Sequence, residues 1–162
     1  METILIASDH AGFELKEALM PFLRDMGYEV KDFGAYEFNA DDDYPDFMAP
    51  LAREISESGG VKQGIIIGGS GQGEAIVANR FRHVRAVVFN GQYHPEHAEA
   101  GRHVPLEVKT AREHNDANVL SLGARFLSKE EAEAAVKTFL TIPFSEGENH
   151  VRRLKKLDEI KM

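Results

Sequence analysis

The chain has 162 residues, 43% hydrophobic and 28% charged, the composition expected of one soluble globular domain covering residues 1–162. Its 27 acidic residues outweigh 19 basic ones for a net charge of −8; this argues against a nucleic-acid partner, and an anionic ligand would need positive charge gathered locally. No cysteine is present, which excludes disulfides, thiolate metal sites and a cysteine nucleophile, and METILIASDH shows neither a signal peptide nor a membrane span, so the expected location is the cytoplasm.

Thr3 to Ala7 (TILIA) reads as a first buried strand. Ser8 to Gly12 form a turn in which Ser8 or Asp9 can cap the next helix. Leu15, Ala18, Leu19, Phe22, Leu23 and Met26 mark one face of that helix at 3.6-residue spacing, with Pro21 a potential kink and Gly27 its end. Tyr28 to Phe33 is a second strand, and Gly34 to Asp43 an acidic loop. Pro45 then opens a helix lined by Phe47, Leu51 and Ile55.

The stretch from Gly64 to Asn79, GIIIGGSGQGEAIVAN, organises the rest. Gly64 to Ile67 suits a strand buried on both faces, Gly68 to Gly73 is a glycine-rich turn, and Glu74 opens an apolar helix. Such a turn lets backbone N–H groups converge, and the helix N-terminus adds partial positive charge. The result is an anion-binding nest with a carboxylate at its rim. No Lys-Ser/Thr pair ends it, so it is not a Walker loop, and Glu74 stands where a dinucleotide fingerprint needs its third glycine. A tight turn that merely needs small residues is the plainer reading.

Val84 to Phe89 is a fourth strand, Asn90 to Lys109 mixes loop with short helix, and Asn118 to Leu122 is a fifth strand. Ser128 caps a helix with Glu131 in the capping-box position, and Pro143 ends it. A last helix, from about 148 to 161, carries Val151, Leu154 and Leu157 between basic residues. Five alternations of strand and helix predict an α/β fold with a parallel sheet covered on both faces. A 2-1-3-4-5 order would put the cleft between strands one and three, where the Asp9-His10 turn meets the nest.

Glu74 fits a general base beside the nest, or simply a first-turn glutamate favouring the helix dipole. Asp9 can be a cap, and His10 a solvated turn residue. In AREHND, His114 suits proton transfer near neutral pH or a helix-end position. The predicted order sets strand five at the edge away from the nest, so His114 would serve a neighbouring subunit. His94, His97 and His103 fit no familiar ligand spacing, and no metal or cofactor is expected. Arg125, Arg152 and Arg153 suit a phosphate clamp, although the last two also fit a solvated helix face.

ASDHAGFELK, DYPDF, GGSGQGE, AREHNDANVL and the late HVRR, taken together, resemble the type B ribose-5-phosphate isomerases and their galactose- and allose-6-phosphate isomerase relatives. The resemblance spans nearly the whole chain. It implies a Rossmann-like three-layer sandwich with a five-stranded parallel sheet, working as a homodimer or homotetramer with shared active sites. The C-terminal helix would pack on a neighbouring subunit. Many members carry a cysteine base where Gly68 stands; the glutamate branch matches Glu74. By resemblance Glu74 is the base and His114 assists ring opening. Asp9, His10, Gly69, Ser70, Gly71, Gln72, Gly73 and Asn115 contact substrate, and Arg125 and Arg153 bind its phosphate. Two features depart from the pattern: Asn149 stands where the branch has a further arginine, and Gln92 to Val108 is longer than usual. The implied reaction is conversion of ribose 5-phosphate to ribulose 5-phosphate through a cis-enediol(ate). Allose or galactose 6-phosphate, or a non-catalytic sugar-phosphate-binding subunit, are the alternatives.

Overall fold

The computed structural model describes residues 1–91 and 106–160. In chain order the elements are β1 (Thr3–Ser8), α1 (Phe13–Asp25), β2 (Glu29–Asp32), α2 (Pro45–Glu57), β3 (Gln63–Gly68), α3 (Gln72–Ala78), β4 (Ala86–Phe89), α4 (Leu106–Asn115), β5 (Val119–Gly123), α5 (Lys129–Thr141) and α6 (Glu148–Asp158). The apolar runs at β1 and β3 become strands buried on both faces, as parallel strands between two helix layers must be.

The sheet is wholly parallel, in the order β2-β1-β3-β5-β4. The expected order placed strand five at the edge; instead β5 lies beside β3, and β4 takes the edge. One side of the sheet packs Ile4, Ile6, Ile65, Ile67, Leu120 and Leu122 against α1, α4 and α5 through Leu19, Leu23, Ala111, Val136 and Phe139. The other packs Leu5, Ala7, Ile66 and Val119 against α2 and α3 through Met48, Leu51, Ile55 and Ala78. Three layers result.

Helix boundaries follow local chemistry closely. Pro45 sits at the first turn of α2, and Ser128 with Glu131 forms a reciprocal capping box on α5. Pro21 lies within α1, which runs unbroken from Phe13 to Asp25. The residue capping α1 is Gly12 rather than Ser8 or Asp9, though the Asp9 carboxylate accepts the Gly12 N–H at 3.1 Å. No helix among the described residues is long and apolar enough to cross a membrane.

Lys16, wholly buried on α1, donates to the Asp32 carboxylate at 2.6 Å, and Asp32 accepts the Gly34 N–H at 2.8 Å. This pair ties α1 to the start of the loop that leads to the pocket. A buried ammonium costs several kcal/mol unless paired, so Lys16→Ala, which strands Asp32, should lower unfolding free energy by about 3 kcal/mol. Urea titration checks it; a loss under about 1 kcal/mol would show that the pair contributes little.

Candidate active site

Parallel register brings three turns to one end of the sheet. Ser8 pairs with Ile67 and Gly68 with Gly123, so the chain leaves β1, β3 and β5 at the same level. Backbone hydrogen bonds stitch these exits together: Asp9 N–H to Ile67 O (3.3 Å), Ala124 N–H to Gly68 O (2.8 Å) and Arg125 N–H to Gly69 O (3.1 Å). Between them lies a pocket of about 260 Å³ lined by Asp9, His10, Tyr44, Gly69, Ser70, Gly73, Glu74, Arg125 and others.

Within the nest, Gly71 adopts a left-handed φ of 77° that a residue with a Cβ rarely takes. Its carbonyl accepts the Ser121 hydroxyl at 2.6 Å, anchoring the turn on β5. The Ser70 hydroxyl accepts the Gln72 N–H at 3.3 Å. Helix α3 therefore starts two residues earlier than expected, at Gln72, with Glu74 in its first turn. Arg125 lies across Gly69, and the Tyr44 ring lies where a side chain on Gly73 would reach.

Glu74 is 4% exposed. Its carboxylate fills the space that a side chain on Gly68 would take, so any Cβ there would have to displace it. Burial raises the Glu74 carboxyl above the ordinary glutamate value, its backbone amide opposes this, and neighbouring Asp9 adds a smaller upward push.

His10 donates its backbone N–H to Asp42 Oδ1 at 3.1 Å, and its Nδ1 lies 2.6 Å from the same oxygen. That hydrogen bond holds the imidazole above its ordinary value; partial desolvation and Arg125 oppose it, and Asp9 and the Asp42 charge support it. Asp9, His10 and Asp42 bring potential metal-ligating atoms within 4.8 Å of one another. His10 and Asp42 spend those atoms on each other, and the cluster is read as a hydrogen-bonded one.

The expected site residues fall into two groups. Asp9, His10, Gly69, Ser70, Gly73, Glu74 and Arg125 line the pocket; Gly71 and Gln72 belong to the same turn but do not line it, and Gln72 faces a separate groove with Ile76 and Asn79. His114, Asn115 and Arg153 do not line the pocket. His114 lies in the last turn of α4 ahead of Val119, at the opposite end of a strand that spans about 13 Å, so it is separated from the pocket along β5 rather than across the sheet. It stacks on His150 of α6, centroids 4.3 Å apart and planes 12° from parallel. Desolvation, His114 and Arg153 hold the His150 imidazole below its ordinary value. Asn115 lines a groove of about 470 Å³ with Phe81, Leu157 and others on the same side. His94, His97 and His103 lie outside the described residues, as does most of the long Gln92 to Val108 segment.

Three residues at the pocket carry no signal in the sequence: Tyr44 and Phe126 line it, and Asp42 stands behind it, bonded to His10. Tyr44 belongs to the DYPDF run without any spacing that marks a role, and Asp42 is one of three consecutive aspartates.

Residues 4–157 of the chain match a family model described as ribose/galactose isomerase. The chain belongs to that family. It is 37% identical over 158 residues to ribose-5-phosphate isomerase B of Mycobacterium tuberculosis, covering 96% of this chain and 88% of the relative. To the enzyme of that name from Escherichia coli it is 33% identical over 160 residues, covering 99% and 97%. Among solved structures, Mycoplasma genitalium ribose-5-phosphate isomerase B with bound ribulose 5-phosphate superposes with a TM-score of 0.84 at 33% identity, covering 96% of this chain and 93% of that one. The Thermotoga maritima enzyme gives 0.83 at 39% identity, covering 98% and 99%.

Filling the space beside the carboxylate tests the pocket geometry. Gly68→Ala should displace the Glu74 side chain and cut turnover of a sugar-phosphate substrate by about a hundredfold, the usual penalty for a misplacement near 1 Å. Steady-state kinetics on the folded variant check it. Unchanged turnover would show that the carboxylate has room to move.

Proposed function

We propose that the chain is an aldose–ketose isomerase that interconverts ribose 5-phosphate and ribulose 5-phosphate without a metal. The observation that carries the mechanism is the Glu74 carboxylate, buried at the nest with its proton affinity raised. A base removing a proton from carbon works best when its own pKa is lifted towards the working pH. Glu74 takes the proton from C2 of the open-chain aldose and returns it to C1, while the O2 proton passes to O1, so that C1 gains the hydroxyl and C2 the carbonyl. Between these steps the substrate is a cis-enediol(ate), whose oxygen charge falls to the nest N–H groups and the Ser70 hydroxyl. Asp9, Gly69 and Gly73 position the sugar, and His10 and Arg125 hold its phosphate.

His114, Asn115 and Arg153 lie too far from their own chain's pocket to take part, so they act in that of a second subunit, with His114 in ring opening and Arg153 on the phosphate. Helix α6 supports this reading. It has no buried residue and leaves Val151 47% and Leu157 48% exposed, a stripe that a neighbouring copy would cover. The working unit is then a homodimer of single-domain chains, or a homotetramer built from two such dimers. Phosphate charge confines substrates of this class within the cell, which gives the enzyme a cytoplasmic location.

Turnover of ribose 5-phosphate by purified protein, beside Glu74→Gln, tests the reading. Wild type should convert it, and Glu74→Gln should lose about a thousandfold or more in kcat while still binding phosphate ligands. Full activity in Glu74→Gln would remove Glu74 as base. Asn149 stands where the resemblance puts a phosphate-binding arginine, so allose 6-phosphate and galactose 6-phosphate are assayed alongside. Activity should survive a chelator; its loss would indicate a required metal.

Burial makes the same carboxylate a liability for folding. Its folded pKa lies above the unfolded one, so stability is full below the unfolded value and declines as pH rises through the folded value. Glu74→Gln should therefore melt higher than wild type at about pH 8, with the gap closing at about pH 4. Calorimetry checks this; a gap independent of pH would assign the effect to packing.

A further inference from the structure

Asp42 sits 32 residues along the chain from His10, in the acidic loop between β2 and α2. Its side chain is only 7% exposed, whereas Asp41 and Asp43 on either side face solvent. One oxygen receives both the His10 backbone N–H and its Nδ1, while Oδ2 is buried without a hydrogen bond from the described residues. A carboxylate is costly to bury in this way unless its charge serves a neighbour. With Nδ1 committed to Asp42, Nε2 is the ring nitrogen left for the pocket that His10 lines.

We propose that Asp42 is the positioning residue for His10, gripping its amide and its Nδ1–H together so that the ring presents Nε2–H, as a cation, to the anionic end of the substrate. The proposal rests on reading His10 as a substrate contact. Charged groups facing the ring are Asp9 and Asp42, which favour the imidazolium, and Arg125, which disfavours it. Phe38 meets the ring edge-on at 6.4 Å and contributes no charge. Asp42 thus offsets the repulsion that Arg125 would otherwise impose on a second cation in the same phosphate subsite. Histidine, unlike arginine, makes that second cation dependent on pH, and the Asp42 bond extends its charged range upward.

Two measurements test this. NMR titration of the His10 ring in wild-type protein should place its pKa above the ordinary histidine value, and in Asp42→Asn at or below it. In kinetics, Asp42→Asn should raise KM for ribose 5-phosphate by about tenfold near pH 8, falling to within about twofold near pH 6, where both rings are charged. The change in kcat should stay under about threefold at both pH values. A wild-type His10 that titrates at or below the ordinary value overturns the proposal without any variant. A KM penalty equal at both pH values also overturns it, since that marks a purely structural Asp42. If wild type converts no sugar phosphate, the isomerase reading fails separately, and the His10 titration with calorimetric binding of inorganic phosphate still decides the role of Asp42.

Discussion

The Glu74 carboxylate occupies the space that a side chain on residue 68 would need, and the rest of the pocket depends on that exchange. Without a Cβ at Gly68, the carboxylate folds back against the end of β3 and leaves water. Its first-turn position on α3 works the other way, since helix N-termini favour the charged form. Burial is the larger influence and leaves the proton affinity raised. The left-handed turn at Gly71, tied to Ser121, fixes where α3 begins and so where Glu74 points. Tyr44 over Gly73 and Arg125 over Gly69 then close two walls that lie against the glycine backbone.

On the proposed reading, the two ends of the sheet carry different halves of the chemistry. At the carboxyl ends, three exit turns share backbone hydrogen bonds, so Glu74, the nest and Arg125 are held by one rigid scaffold. At the opposite end, Arg112 and Arg85 both bond to the Asp116 carboxylate, and Arg112 also reaches the Ala117 and Ile142 carbonyls. That network fixes the turn between α4 and β5, which sets the place of His114 and Asn115. Two proposed half-sites held a strand length apart would be completed by a second copy of the chain.

Much of this was legible in the sequence. Continuous apolar runs gave β1 and β3, the 3.6-residue spacing gave α1 and α2, and Ser128 with Glu131 gave the start of α5, because each is a local preference that packing reinforced. The convergence of the Asp9-His10 turn with the nest also followed from topology alone. The edge order did not, because right-handed crossovers permit β5 either beside β3 or outside β4. The wrong order still led to a correct separation of His114 from the nest, though the separation runs along the strand. The charge balance at Glu74 was also hidden, since burial is tertiary. Asp42 was hidden for the same reason: three consecutive aspartates look alike until one of them turns inward.

Mixing two inactive variants tests most directly whether base and ring-opening group come from different subunits. Glu74→Gln and His114→Asn, each inactive alone, would be unfolded together and refolded into dimers. Half of these should be hybrids, each with one intact site of two, so activity should return to roughly a quarter of the wild-type level. A mixture as inactive as its components would contradict the shared site and require both residues to act within one chain.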